Sequence, residues 1–360
     1  MSSPLHLVVA SDSRYLPGAI GTLAGVRLAV PRETSIYVRF LHEGLSRSDQ
    51  HRLTAAMEKL ENGPQVEFVP VDADFGLFPD GDLSSAMAYA RLVLPEKVDA
   101  ERVVYLDTDM LVLRDLSELT RSGPPGAKGV GGVLERSGPT LEHDFPEIPG
   151  SHDPGWSYLS CGLLVLDMPT VRQAGVFERA MEILKTHPEA CRNHDRSALN
   201  YALEGEAYLF DAGWNLQTHR EHYDPVAAIP ELAARAVNVH FVGRGKPWLS
   251  FVPFPAEQMF RMLLDALEPR WKEDRHTKMI RAKSPEPYAS AMPWLHGFRS
   301  VFRKLRGKDS EEERKAAMVW KQFNRDVERL EAQDAEAMKL YEDWQAQIDA
   351  GLVKRSGRVR

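Results

Sequence analysis

Cysteine is nearly absent from this chain of 360 residues, which has only Cys161 and Cys191. Two thiols in so long a chain make no disulfide scaffold, which points to a reducing compartment and to both thiols as small buried hydrophobes. Long apolar runs are missing too. The start, MSSPLHLVVASDSRY, has no basic region ahead of its short apolar run, which ends in Ser-Asp. That is too little for a secretory leader or a spanning helix, and a cytoplasmic protein is the expectation. A basic excess is lacking over most of the chain, since residues 1–269 carry 24 Lys and Arg against 37 Asp and Glu. No nucleic-acid partner is therefore expected, because such binding needs a basic face to neutralise phosphates. Disorder and low complexity are excluded by 43% hydrophobic and 27% charged residues. Nor does a glycine-rich phosphate loop follow the first apolar run, where SDSRYLPG offers one late glycine.

What is present is an alternation of short apolar runs and helical patterns. LHLVVA (5–10) reads as a strand, LPGAIGTLAGVRLAV as a helix and SIYVRFL (35–41) as a second strand. The pattern continues with a helix at 45–61, a strand at 66–70, a helix at 84–94 and a strand at 103–106. Further strands are expected at 130–134, 162–166, 207–210 and 237–241, with loops at 121–126 and 136–157. Such alternation predicts an α/β fold with a mostly parallel central sheet flanked by helices, and ligands gather at the carboxyl ends of such strands. One domain is expected over 1–270, followed by a charged helical extension over 271–360. Within the extension, residues 294–308 set Trp294, Phe298, Val301, Phe302 and Leu305 on one face among five cations. That suits a peripheral membrane helix, or an aromatic face packed on the body. Residues 311–349 space their apolar positions by three and four, as in a helix that packs along one stripe, in a homo-oligomer or against the body.

The strongest local signal is VVYLDTDMLVL, where Asp107 and Asp109 follow an apolar strand. In extended chain, residues i and i+2 point the same way, so the two carboxylates converge on one point. Two readings follow: a site for a hard divalent cation, or a polar turn with two exposed acids. A dehalogenase-type phosphatase also uses Asp-x-Asp, but it needs Thr or Val where Leu111 stands.

Five further segments fall in order around these aspartates: ASDSRY (10–15), AYARLVLP (88–95), YLSCGLLVLDMP (158–169), HDRSALN (194–200) and VNVHFVGRGKPW (237–248). Together with YLDTDMLV they resemble glycosyltransferase family 8, the retaining, metal-dependent transferases of the GT-A fold that include bacterial lipopolysaccharide galactosyl- and glucosyltransferases. The resemblance covers about residues 5 to 250. It implies transfer of a hexose from a UDP-sugar, glucose or galactose, to a glycan or glycolipid acceptor. It implies Asp107, Asp109 and His240 as metal ligands, and an imidazole beside carboxylates suits Mn²⁺ better than Mg²⁺. Ala10, Asp12 and Tyr15 would form the uridine pocket, and Arg91, Thr108, Gly243 and Lys246 would meet the diphosphate or sugar. Glu135, Ser160, Asp195 and Arg196 fall near the donor sugar and acceptor. Three positions depart from the family pattern: Arg14 and Ser160 stand where Asn is usual, and Arg196-Ser197 where Gln-Asp is usual. Arg196 then either pairs with Asp195 or holds an anion on a substrate, such as a uronate carboxylate. The rival functions are a nucleotide-sugar-binding protein with weak activity and a different metal-dependent sugar-phosphate enzyme.

Overall fold

The computed structural model describes residues 3–71, 86–121, 126, 128–135, 156–217, 236–243, 246–249, 255–273 and 346. The expected segments 294–308 and, apart from Ala346, 311–349 lie outside them. The strands are β1 (Leu5–Ala10), β2 (Ile36–His42), β3 (Gln65–Pro70), β4 (Arg102–Leu106), β5 (Met110–Val112), β6 (Val130–Leu134), β7 (Leu159–Asp167), β8 (Tyr208–Leu209), β9 (Leu216–Gln217) and β10 (Asn238–His240). The helices are α1 (Leu16–Ala29), α2 (Arg47–Glu58), α3 (Leu94–Lys97), α4 (Ser117–Arg121), α5 (Met168–Ala174), α6 (Val176–Thr186), α7 (His194–Leu203) and α8 (Pro255–Leu267). Among the described residues no helix is long and apolar enough to cross a membrane.

Seven strands form the main sheet in the order β3-β2-β1-β4-β7-β6-β8. The half from β3 to β4 is parallel, as the alternation of strands and helices predicts. Within this mostly parallel sheet β7 is the exception, running antiparallel to both β4 and β6, while β6 and β8 pair in parallel. Apolar runs buried on both faces read alike in either direction, so composition does not encode strand polarity. Along β1 the side chains alternate: Leu5, Leu7 and Val9 enter the core shared with α1 and α8, whereas Val8 and Ala10 enter the core shared with α6 and α7. Both cysteines are buried in the second core. Burial pushes the Cys161 thiol up to about 12, so it stays protonated and inert.

The helix expected over 84–94 is instead a run of 3-10 turns over Ala86–Val93 followed by the single α-turn α3. Pro95 has no N–H to return to the carbonyl four residues back, so α-helical bonding restarts at Leu94 with Pro95 in its first turn. Twelve of the fourteen residues of α1 are buried. A Cβ on Gly18 would stand 2.4 Å from the Thr108 carbonyl oxygen, and one on Gly21 2.3 Å from the Phe260 ring of α8, so the helix fits only because those positions are bare. The core runs on to Trp271, which is fully buried and donates from Nε1 to Asp265 Oδ1 at 2.8 Å.

At the carboxyl end of α1 the buried Arg27 guanidinium is held by main-chain carbonyls, donating to Thr34 O at 2.9 Å, Val30 O at 3.0 Å, Pro31 O at 2.5 Å and Asn62 O at 3.3 Å. These carbonyls lie where β2 begins, at the opposite end of the sheet from Asp107. Arg27→Met strips the donors from several shielded acceptors at about 1 kcal/mol or more each. The expected outcome is a fall in Tm of roughly 5–10 °C by scanning calorimetry, with ligand binding at the far end unchanged.

Candidate active site

The second sheet, of order β5-β10-β9, builds the site. It grows from the loop after β4. Asp107 and Asp109 leave the end of β4, the chain turns into β5, and β10 pairs antiparallel with β5 so that His240 lies opposite Met110. Thr22 of α1 fixes this turn from behind, its hydroxyl donating to Met110 O at 2.9 Å and accepting from Met110 N at 3.1 Å. As a result His240 Nε2 stands 3.3 Å from Asp109 Oδ1 and 3.8 Å from Asp107 Oδ2. One ligand atom from each of the three residues lies within 4.8 Å of the others.

Asn215, which no sequence motif singles out, orients the imidazole. Its Oδ1 lies 3.1 Å from His240 Nδ1, and its amide nitrogen donates to Ser160 Oγ at 3.2 Å. With a proton on Nδ1 directed at that oxygen, the Nε2 lone pair faces the two carboxylates. Lone pairs on two acids and one imidazole converging on a single point repel unless a cation lies between them. Two oxygen donors and one nitrogen fit Mn²⁺ by their chemistry. Gly162 makes room for this ring: a Cβ there would stand 2.3 Å from His240 Cε1 and 2.7 Å from Nδ1.

Two cations close the site. Lys246 donates to Asp109 Oδ2 and, at 2.8 Å, to Phe241 O. Burial pushes the pKa of Asp109 up, but the Lys246 ammonium and His240 outweigh it and hold the acid well below the usual carboxylate range. The reverse holds for Lys246, where burial lowers the pKa and Asp109 raises it by more. Arg91 reaches Asp107 Oδ1 at 3.0 Å through Nη2 and lies 2.8 Å from Asp195 Oδ2 through Nε, while its Nη1 donates to Cys161 O. Its guanidinium stacks 4.9 Å above the Tyr105 ring, and the Tyr105 hydroxyl donates to Asp107 Oδ1 at 2.9 Å. Burial raises the pKa of Asp195 against the pull of Arg91.

Most of the residues singled out from the sequence line two adjoining cavities. One, of about 180 Å³, has Ala10, Tyr15, Arg91, Asp107, Thr108, Asp109 and Lys246 in its wall, together with Tyr105. The other, of about 220 Å³, adds Ser160, Asp195, Arg196, His240 and Gly243, together with Asn193 and His194. Glu135 lines a third cavity, of about 430 Å³, behind Asn215. Asp12 is not part of these three linings. Its carboxylate caps the turn at 13–15, accepting from Arg14 N at 2.8 Å and Tyr15 N at 3.2 Å, and pairs with the Arg14 side chain. The expected Arg196–Asp195 pair does not form either. Asp195 is taken by Arg91, and Arg196 donates to Glu135 Oε2 and, at 2.8 Å, to Asn193 Oδ1. Adjacent positions on α7 point about 100° apart, so the carboxylate of Glu135, just past the end of β6, is the nearer partner.

The family profile described as "Glycosyl transferase family 8" matches residues 6–251. General stress protein A of Bacillus subtilis is 24% identical over 270 residues, covering 70% of this chain and 90% of that protein. Lipopolysaccharide 1,3-galactosyltransferase of Salmonella typhimurium is 24% identical over 263 residues, covering 71% and 76%. Among solved structures, the galactosyltransferase LgtC in complex with donor and acceptor sugar analogues superimposes with a TM-score of 0.60 at 23% identity, covering 73% of this chain and 96% of that one. At that identity the likeness speaks to the fold.

Proposed function

The chain belongs to glycosyl transferase family 8, and from that premise we propose that it moves a hexose, glucose or galactose, from UDP to a glycan acceptor, with retention at the anomeric carbon. The observation that carries this reading is the convergence of Asp107, Asp109 and His240 beside the buried cations Lys246 and Arg91. Mn²⁺ is the ion best suited to that donor set, and when bound it neutralises the diphosphate.

In this reading the uracil and ribose lie along Ala10 and Tyr15, in the cavity that also holds Thr108. Lys246 supplies a fixed positive charge to the diphosphate oxygens. It is already desolvated and held in place by Asp109 and the Phe241 carbonyl, so little solvent must be reorganised as charge develops on the leaving group. Arg91 ties Asp107 to Asp195 and so couples the diphosphate end of the cleft to the sugar end. Asp195 contacts the donor sugar or the acceptor hydroxyl. Ser160, where the family pattern has Asn, helps to fix Asn215 and through it the imidazole of His240.

The experiment is a panel of nucleotide sugars scored for release of UDP. With Mn²⁺, UDP-glucose or UDP-galactose is expected to release UDP even without acceptor. EDTA is expected to lower that rate at least 100-fold, and added Mn²⁺ to restore it. Inorganic phosphate as the product would assign the site to a sugar-phosphate enzyme instead. Tight UDP binding with no release from any donor would leave a binding protein.

A further inference from the structure

Arg196 is the charged departure in the wall of the sugar cavity, and a guanidinium in that position ordinarily reads as a receptor for a substrate carboxylate. Its surroundings say otherwise. One terminal nitrogen donates to Glu135 Oε2 and the other to Asn193 Oδ1, while the guanidinium lies 5.8 Å from the centroid of the Tyr158 ring. The Glu135 side chain is 3% exposed against 25% for Arg196, so the acid is sealed behind the base. Glu135 is anchored at the end of β6, its backbone N–H donating to Tyr158 O at 2.9 Å. Arg196 comes from α7, whose Asn200 ties it to β7 through Leu159 N at 2.6 Å and Leu159 O at 3.0 Å.

The same rule holds for the other described cations of the wall. Arg91 faces Asp107 and Asp195, Lys246 faces Asp109, and Arg196 faces Glu135. Each of these cations therefore carries its own acid before any substrate arrives. A carboxylate on the donor sugar would have to displace a buried glutamate from its guanidinium, or sit beside it without compensation, and both are costly in a desolvated site.

Resting on the transferase reading above, we propose that Glu135 is a specificity-determining residue: by neutralising Arg196 it sets the cavity for an uncharged hexose and against a hexuronate. The Glu135–Arg196 pair presents hydrogen-bond donors to sugar hydroxyls with no net charge. Removing the acid alone converts it into a carboxylate receptor.

The test uses the full chain with Mn²⁺ and measures kcat/KM for UDP release from UDP-glucose, UDP-galactose, UDP-glucuronate and UDP-galacturonate. The parent is expected to favour its neutral donor over the matching uronate by at least tenfold. In Glu135→Gln the ratio of uronate to neutral turnover is expected to rise at least tenfold. In the double variant Glu135→Gln/Arg196→Gln, which is again uncharged, it is expected to return to within about threefold of the parent. Equal or better use of a uronate by the parent overturns the proposal and leaves the transferase reading intact. An unchanged ratio in folded Glu135→Gln overturns it as well. Should that variant not fold, the double variant decides, because a shift towards uronates without Arg196 contradicts the charge argument. No turnover of any donor by the parent defeats the transferase reading, and the proposal with it.

Discussion

Asp109→Asn is expected to abolish Mn²⁺-dependent binding of UDP while leaving the fold in place. The amide keeps the shape of the carboxylate but not its charge, and three partners depend on that charge. The first is the metal, which would lose one of its two acids; a calorimetric Kd for UDP in Mn²⁺ at least 100-fold weaker is the expected result, with turnover down by at least 1000-fold. The second is Lys246, whose pKa Asp109 holds above its ordinary value against the effect of burial. Without the acid that pKa falls, because only Tyr15 and Asp107 then oppose burial, so the ammonium is less available to the diphosphate at high pH. The third is His240, 3.3 Å away, which loses the nearer of its two carboxylates. Breaking a buried ion pair from one side costs up to about 3–5 kcal/mol, so Tm falls even without metal. A variant that binds UDP in Mn²⁺ as tightly as the parent would remove the metal assignment.

Gly162→Ala is expected to do nearly as much damage by adding one methyl group. β7 is buried along most of its length, and although its pairing with β6 is interrupted at Gly162, the Gly162 carbonyl accepts from Asp107 N at 2.8 Å and holds the backbone in place. The imidazole must yield, since the new carbon would stand 2.3 Å from its Cε1. Moving the ring by about 1 Å breaks its contact with Asn215 and carries Nε2 off the point shared with the aspartates. Misplacement on that scale costs on the order of 100-fold in rate. The expected result is a kcat/KM at least 100-fold lower with a matching loss of Mn²⁺ affinity by electron paramagnetic resonance. Asn215→Leu should weaken Mn²⁺ in the same assay but by less, because the ring keeps its place and loses only the partner that fixes its proton. Parent-like Mn²⁺ affinity in Gly162→Ala would mean that His240 is not a ligand.

The aspartates were legible because their signal is local: an apolar strand, a turn and two acids at a spacing that strands place on one side. His240 and Lys246 were legible only through a pattern of residue types that the chain shares with a known family. Tyr105 was hidden inside the apolar run of β4, where an aromatic ring is ordinary, and its hydroxyl matters only because Arg91 and Asp107 lie beside it. Asn215 was hidden by distance, 25 residues before His240 in a segment with no motif of its own. The partner of Arg196 was hidden for the same reason. Glu135 is 61 residues away in sequence, whereas Asp195 is adjacent. Adjacent residues on a helix diverge, so closeness in sequence was the wrong guide. The polarity of β7 was not written in its composition at all, and neither was the 3-10 geometry of 86–93, whose apolar spacing serves both kinds of helix.

The burial of α1 on every side has a consequence for synthesis on the ribosome. A helix buried all round has no wet face, so it gains little from forming before its covers exist. One of those covers is α8, whose Phe260 seats against Gly21. Roughly 240 residues separate the end of α1 from the end of α8, and at about 5–20 residues per second they take on the order of 10–50 s to emerge. Throughout that interval the first helix is a sticky segment on a nascent chain. Its protection must come from the growing sheet or from a chaperone, and truncation ahead of residue 255 leaves it without α8, its lasting shelter.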